Sequence, residues 1–157
     1  MGFLASATFV VSLIHFPLAG TSIHLGLFGL SGILLGRRAF PVIFATLLFH
    51  SLLFQHGGLL SLGMNAVNMG AGGLLAAVLW SAARLPEPLR AFLSGFVGIL
   101  LPAVLMAAEF SLADYGKGFY YIAGLYLAVA AIEGLVTAAI VAFLRRAKPG
   151  VLVRVAA

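Results

Sequence analysis

The chain contains no cysteine and very few charged residues. Without cysteine it can form neither a disulfide nor a thiolate metal site, so imidazole, carboxylate, thioether or backbone nitrogen would have to hold any metal. Only 8% of the 157 residues are charged and 63% are hydrophobic, whereas an ordinary soluble domain carries about 25% charged residues. Because so few polar residues cannot cover an aqueous core, the apolar surface must face lipid.

Several functional signatures are also missing from the sequence. It has no glycine-rich phosphate loop ending in Lys-Ser or Lys-Thr, no His-Glu-x-x-His and no Gly-x-Ser-x-Gly. We therefore expect that the chain does not bind ATP by itself and is not an enzyme. A serine–histidine pair formed only in three dimensions leaves an intramembrane hydrolase as an alternative. The net charge of +5 does not indicate nucleic-acid binding, because the basic residues fall singly or in pairs between apolar stretches.

The apolar residues fall into six segments, which predict an all-α fold. A transmembrane helix needs about 20 residues, and most of these segments approach that length. We expect a compact bundle of about six transmembrane helices that forms one integral membrane domain over residues 1–157. Small residues at spacings of three and four would let the helix backbones approach closely. We place the six segments at 3–19, 22–36, 39–55, 64–83, 91–110 and 119–144.

Basic residues are distributed unevenly between the two sides of this predicted bundle. On the side opposite Met1 the pattern leaves only Lys117. An excess of Lys and Arg marks cytoplasmic loops, so the sequence predicts an inner (plasma) membrane protein with both termini of this chain in the cytoplasm. The turns at 20–24 and 55–58 would then be external. The basic residues on the side of Met1 are Arg37, Arg38, Arg84, Arg90, Arg145, Arg146, Lys148 and Arg154.

His24 is the candidate metal ligand. It lies in the stretch AGTSIHLGL, where small residues including Thr21 and Ser22 favour a tight non-helical turn. Such backbone is tolerated at membrane depth only inside protein or beside water. Neutral imidazole is a common metal ligand; the alternative is a histidine that caps a helix or lies at the interface.

Five further polar residues could support the ligand or line an entry path: Thr21, Ser22, His56, Asn65 and Asn68. His56 precedes two glycines that can end a helix, where a histidine also interacts favourably with the helix dipole. Asn65 and Asn68 are three residues apart, on one helical face. Buried amides in membranes commonly tie helices together, and direct contact with substrate is the alternative.

Three more ionisable residues lie inside apolar segments. His15 and His50 are expected to be interior histidines with satisfied hydrogen bonds. Glu133 is the most unusual, because an acidic group in the middle of an apolar helix is expensive and marks a functional candidate. Contact between helices, contact with a partner subunit and a role in transport all remain open for it.

Three stretches of the sequence resemble the CbiM/NikM family, the substrate-specific membrane components of energy-coupling-factor cobalt and nickel transporters. They are the turn GTSIH, the block FPVIFATLLFHSLLFQHGGLLSLGMN and the stretch IEGLVTA. The resemblance implies a membrane subunit that captures Co²⁺ or Ni²⁺ as transported substrate. It also implies two kinds of partner, a transmembrane coupling subunit and cytoplasmic ATPase subunits, and a supply of cobalt for cobalamin biosynthesis.

The resemblance also implies a ligand set that this sequence carries only in part. Family members begin Met-His-Ile-x-Glu-Gly, and their terminal amine, second amide and first histidine bind the metal with the histidine of the GTS-H turn. Of these ligands the sequence offers His24. Met1 aligns just before the second helix of the family pattern, so the first helix and the metal-binding N-terminus are expected to be missing. Tyr126 stands where the pattern would place a histidine.

Nickel suits square-planar nitrogen ligation, and cobalt is the other candidate. Two rival functions remain: a substrate component for an organic micronutrient such as a vitamin, and a degenerate membrane scaffold that binds partners but no metal.

Overall fold

The chain folds mainly into helices, interrupted by one short hairpin between the first two. A computed structural model describes residues 2–13, 15–18, 21–55, 58–82, 84–115, 118–148 and 150–153. In chain order the elements are α1 (Gly2–Ser12), β1 (His15–Leu18), β2 (Thr21–His24), α2 (Phe28–Leu35), a 3₁₀ turn (Gly36–Arg38), α3 (Ala39–Phe54), α4 (Leu62–Ser81), α5 (Glu87–Leu112), α6 (Phe119–Ala147) and α7 (Gly150–Val153).

Four helical stretches of the described chain are long and apolar enough to cross a membrane. The prediction of an all-α membrane protein is thereby confirmed. α1 has 11 residues and is about 16 Å long at 1.5 Å per residue, about half the hydrocarbon thickness of a bilayer. The four stretches are Phe28–Phe54, Leu62–Ser81, Glu87–Leu112 and Phe119–Ala147.

The first of these stretches contains a reversal of the chain at Gly36. The φ angle of Gly36 is 58°, a left-handed value that glycine adopts without a steric penalty. A Cβ added to Gly73 of α4 would lie 3.3 Å from the carbonyl oxygen of Phe28 and 3.6 Å from the Cβ of Ala39. Since one site on α4 touches the beginnings of both α2 and α3, these two beginnings lie close together.

The hairpin corrects the predicted helices at 3–19 and 22–36. α1 ends at Ser12, and α2 begins only at Phe28. The sequence gives a physical reason: Pro17 has no backbone N–H and disfavours helical geometry at the residue before it. The β-branched side chains of Thr21 and Ile23 favour strands.

Three helices meet at glycines with their backbones in contact. A Cβ added to Gly98 of α5 would lie 2.6 Å from the Cα of Gly29 in α2, and one added to Gly72 of α4 would lie 2.6 Å from the carbonyl oxygen of Gly98. Real Cβ atoms do not approach other atoms so closely. Small residues at helix contacts are the usual device for packing within membranes, where lipid supplies no hydrophobic drive.

Charged side chains join the helices at one end of the bundle. Arg145 near the end of α6 forms an ion pair with Glu87 at the start of α5, with Nε donating to Oε1 at 2.9 Å. Nearby, Arg90 donates from Nη1 to the carbonyl oxygen of Trp80 at 2.9 Å, and its guanidinium lies 4.9 Å from the centre of the Trp80 ring. The beginning of α5 and the ends of α4 and α6 therefore lie together.

A glycine pair tests the close packing. We expect Gly98→Ala to destabilise the protein by about 1–3 kcal/mol, since the added methyl overpacks a backbone contact. Gly124→Ala in α6 is the matched control, because nothing lies within 4 Å of its Cβ position and alanine is the better helix former. Thermal unfolding in detergent measures both, and an equal midpoint for the two variants would contradict the packing.

Candidate functional site

His24 lies at the end of β2, in the hairpin between α1 and α2. The antiparallel register pairs His15 with His24 and Leu18 with Thr21, so two residues connect the strands. In a two-residue hairpin the pair that flanks the connection is hydrogen-bonded, and pairs then alternate between bonded and non-bonded. Pro17 therefore stands in a non-bonded pair with Ser22, as suits a residue without an N–H.

The same alternation places His15 and His24 in a non-bonded pair. Such pairs have Cα atoms about 4.5 Å apart, closer than the bonded ones. The backbone thus brings two histidines together at the open end of the hairpin. This pairing was not predicted, because His15 was expected inside the helix at 3–19; Pro17 and the small residues after it were the signals for a hairpin.

Thr21 and Ser22 lie on β2 with His24. The structure therefore keeps them in the same element as the candidate ligand, and a role in supporting that ligand stays a prediction. His56 lies outside the described residues.

Glu133 reaches the same region from α6. It lies at the midpoint of that helix and is fully buried. Its Oε1 accepts hydrogen bonds from the backbone N–H groups of Gly26, at 2.5 Å, and Leu27, at 3.2 Å. Gly26 follows His24 by two residues, and Leu27 is the residue from which α2 starts. Glu133 therefore binds the two residues that immediately precede α2.

The carboxyl group suits this position electrostatically. The N-terminus of a helix carries a partial positive charge that favours an acidic side chain. Within the described part of the chain, the second carboxyl oxygen, Oε2, has no hydrogen-bond partner. Both backbone contacts thus depend on one oxygen of Glu133.

His50 of α3 makes the corresponding contact at the end of α1. Its Nε2 lies 3.2 Å from the carbonyl oxygen of Phe9 and 3.2 Å from the hydroxyl of Ser12. Its ring stacks on the Phe9 ring, with centres 4.6 Å apart. A carbonyl only accepts, so Nε2 carries the proton in this contact. The prediction that His50 is a hydrogen-bonded interior histidine is confirmed, since the side chain is buried.

The two asparagines differ in what they bind. Asn68 is buried and donates from Nδ2 to Oε1 of Glu109 at 2.9 Å, which ties α4 to α5. Asn65 donates to the hydroxyl of Ser61 at 3.2 Å, next to the start of its own helix. The described contacts join neither residue to the hairpin.

No group of three or more histidine, aspartate or glutamate residues that could hold a metal ion occurs within the described ranges. What the fold does bring together is a backbone pair of histidines and a contact from Glu133 to the residues just before α2. Four helical stretches that are long and apolar enough to cross a membrane, with a non-helical hairpin between α1 and α2, define the chain as an integral membrane protein.

Comparison with known proteins identifies the family. The family profile described as CbiM, "Cobalt uptake substrate-specific transmembrane region", matches residues 1–151. The chain therefore belongs to the CbiM family.

Three curated relatives show how far the similarity extends. Cobalt transport protein CbiM 1 of Pelobacter propionicus is 38% identical over 119 residues, covering 72% of this chain and 53% of the relative. Cobalt transport protein CbiM of Thermosipho melanesiensis is 31% identical, over 90% of this chain and 66% of the relative. The fused nickel transport protein NikMN of Rhodobacter capsulatus is 29% identical, over 95% of this chain and 51% of the relative. The chain spans about half the length of several relatives that it matches.

The two asparagines give a matched test of the contact between α4 and α5. We expect Asn68→Ala to lower stability by about 0.6–2 kcal/mol, the range for hydrogen bonds between membrane helices. Asn65→Ala should have a smaller effect, because its bond stays near one helix end. Unfolding in detergent measures the difference, and combining Asn68→Ala with Glu109→Ala should add little further loss. Equal effects of the two single changes would refute the assignment.

Proposed function

We propose that the chain is the substrate-capturing membrane subunit of an ATP-driven cobalt or nickel uptake transporter, and that His24 is a ligand of the captured ion. The observation that carries the proposal is the position of His24. It lies in a non-helical hairpin whose next residues are bonded to a buried carboxylate, in a chain of the cobalt-uptake family. Non-helical backbone within a membrane protein commonly lines a site.

The donor chemistry supports a transition metal as substrate. Imidazole suits nickel and other first-row ions, and the chain has no thiolate. The backbone of His15 lies opposite that of His24 in the hairpin register, and we propose His15 as the second imidazole donor. Nickel would accept a square-planar set of nitrogen donors, and cobalt is the other expected substrate.

The energy for uptake would come from partner subunits. The sequence contains no phosphate-binding loop, so ATP would be hydrolysed by cytoplasmic ATPase subunits and the motion passed on by a transmembrane coupling subunit. The Glu87–Arg145 ion pair supports a common end for α5 and α6, where Arg84, Arg90 and Arg146 also gather along the sequence. We assign this basic end of the bundle to the cytoplasm. One use of the imported cobalt would be cobalamin biosynthesis.

Metal titration tests the proposal. The purified chain in lipid nanodiscs is titrated with Ni²⁺ and with Co²⁺ by calorimetry, as wild type, His24→Ala and His15→Ala. We expect stoichiometric binding by the wild type. His24→Ala should weaken it by more than about 100-fold, beyond the effect of changing groups that only support a ligand. His15→Ala should weaken it less.

Gly124→Ala serves as the control variant, since nothing lies within 4 Å of the Cβ position of this residue in α6, and it should bind as the wild type does. Undiminished binding by His24→Ala would remove His24 from the ligand set. Absence of binding in every variant would favour the micronutrient or scaffold alternatives.

A further inference from the structure

We propose that Glu133 and His50 are positioning residues that fix the two ends of the histidine-bearing hairpin. The proposal rests on the proposed function in one respect, namely that the hairpin holds the captured ion. The contacts themselves stand independently of any metal. Neither residue is proposed to touch the ion.

The contacts of His50 and Glu133 lie close to the hairpin along the chain. The hairpin strands run from His15 to His24. Ser12, which His50 contacts, precedes the first strand by three residues, and Gly26, which Glu133 contacts, follows the second by two. Both contacts come from helices distant in sequence, α3 and α6. The hairpin therefore has a tertiary anchor beside each of its ends.

His50 and Glu133 have opposite hydrogen-bonding roles in these contacts, one as a donor and the other as an acceptor. Near the end of α1 the carbonyl of Phe9 accepts a hydrogen bond of 3.0 Å from the hydroxyl of Ser12, and His50 presents an N–H to the same carbonyl. Glu133 presents an oxygen to the N–H groups of Gly26 and Leu27, which immediately precede α2. Each side chain has the hydrogen-bonding role that complements the backbone group it contacts.

Both anchoring side chains are buried. Glu133 is 0% exposed and His50 is 2% exposed, so water does not compete for these bonds. Loss of Glu133 leaves the N–H groups of Gly26 and Leu27 without this acceptor, which is more expensive than the net value of the bond. Loss of His50 removes the bond that joins α3 to the end of α1, although the carbonyl of Phe9 keeps its bond from Ser12. The hairpin would then be free to shift relative to the bundle, and any ligand geometry that depends on it would be lost.

Two pairs of variants separate hydrogen bonding from packing. Glu133→Gln keeps an oxygen acceptor at nearly the same length, whereas Glu133→Met fills similar space without an acceptor. His50→Gln keeps an N–H donor near the position of Nε2, whereas His50→Phe keeps the aromatic ring and removes the donor. The comparison within each pair is therefore made at similar volume.

Two control variants remove buried hydroxyls elsewhere. Thr46→Val removes a bond of 3.0 Å from Thr46 to the carbonyl of Val42 within α3. Ser94→Ala removes one of 3.0 Å from α5 to the carbonyl of Ala76 in α4. Both hydroxyls are buried, and these bonds do not involve the chain from Ser12 to Leu27.

The primary readout is hydrogen exchange of the backbone amides in 15–18 and 21–24, measured by mass spectrometry on the full chain in nanodiscs without metal. We expect Glu133→Met and His50→Phe to accelerate exchange on the order of tenfold, as loss of a buried bond to a charged or aromatic partner implies. The two Gln variants and both controls should stay within about threefold of the wild type. Unchanged exchange in the Met and Phe variants would overturn the proposal, and so would equal acceleration in the Gln variants.

The second readout is the affinity for Ni²⁺ in the same variants. We expect a loss of 10- to 100-fold for Glu133→Met, the range for groups that orient metal ligands, and recovery in Glu133→Gln. If the wild type and all variants bind no metal, the proposed function fails and the exchange result alone decides the positioning role. If the wild type binds and Glu133→Met binds equally well, the positioning role fails and the proposed function remains.

Discussion

Backbone that is not helical can enter a membrane protein only where protein satisfies its polar groups, because lipid offers no hydrogen bonds. The segment from His15 to Leu27 meets that constraint through two sources. The strands pair with each other, and Glu133 accepts the N–H groups of Gly26 and Leu27 at the start of α2. A carboxyl group buried in the middle of α6 is tolerable because it accepts backbone N–H groups of the non-helical chain that leads into α2.

The surrounding helices make room for this arrangement. α2 has eight residues, and its backbone approaches α5 where Gly29 meets Gly98. The reversal at Gly36 returns the chain as α3, from which His50 reaches back to α1. The hairpin that shortens α1 and α2 therefore lies between two contacts, that of His50 with the end of α1 and that of Glu133 with the residues before α2. The histidine that we propose as a metal ligand, His24, is at the end of the second strand of this hairpin.

Composition predicted the membrane class, and hydropathy located the later helices well. α3, α4 and α6 begin within a few residues of the expected positions, because long apolar runs between charged turns have no alternative in lipid. The hairpin was missed for the opposite reason: Ile23 and Leu18 are as apolar as helical residues, and hydropathy does not distinguish paired strands from a helix. Pro17 was the local signal that a helix could not continue through this segment. The partner of Glu133 could not be predicted, since its contact spans more than one hundred residues of sequence.

The most direct test is the distance between the backbone nitrogen of Gly26 and the carboxyl carbon of Glu133. Solid-state NMR on chain labelled with ¹⁵N-glycine and ¹³C-glutamate in lipid bilayers measures it by dipolar recoupling. Gly26→Ala removes the glycine signal, and Glu133→Gln removes the carboxyl signal, so the pair can be assigned. A hydrogen bond of ordinary geometry requires a separation of about 3.5 Å. That value would establish the anchor of the hairpin, whereas the absence of any coupling at this range would contradict it.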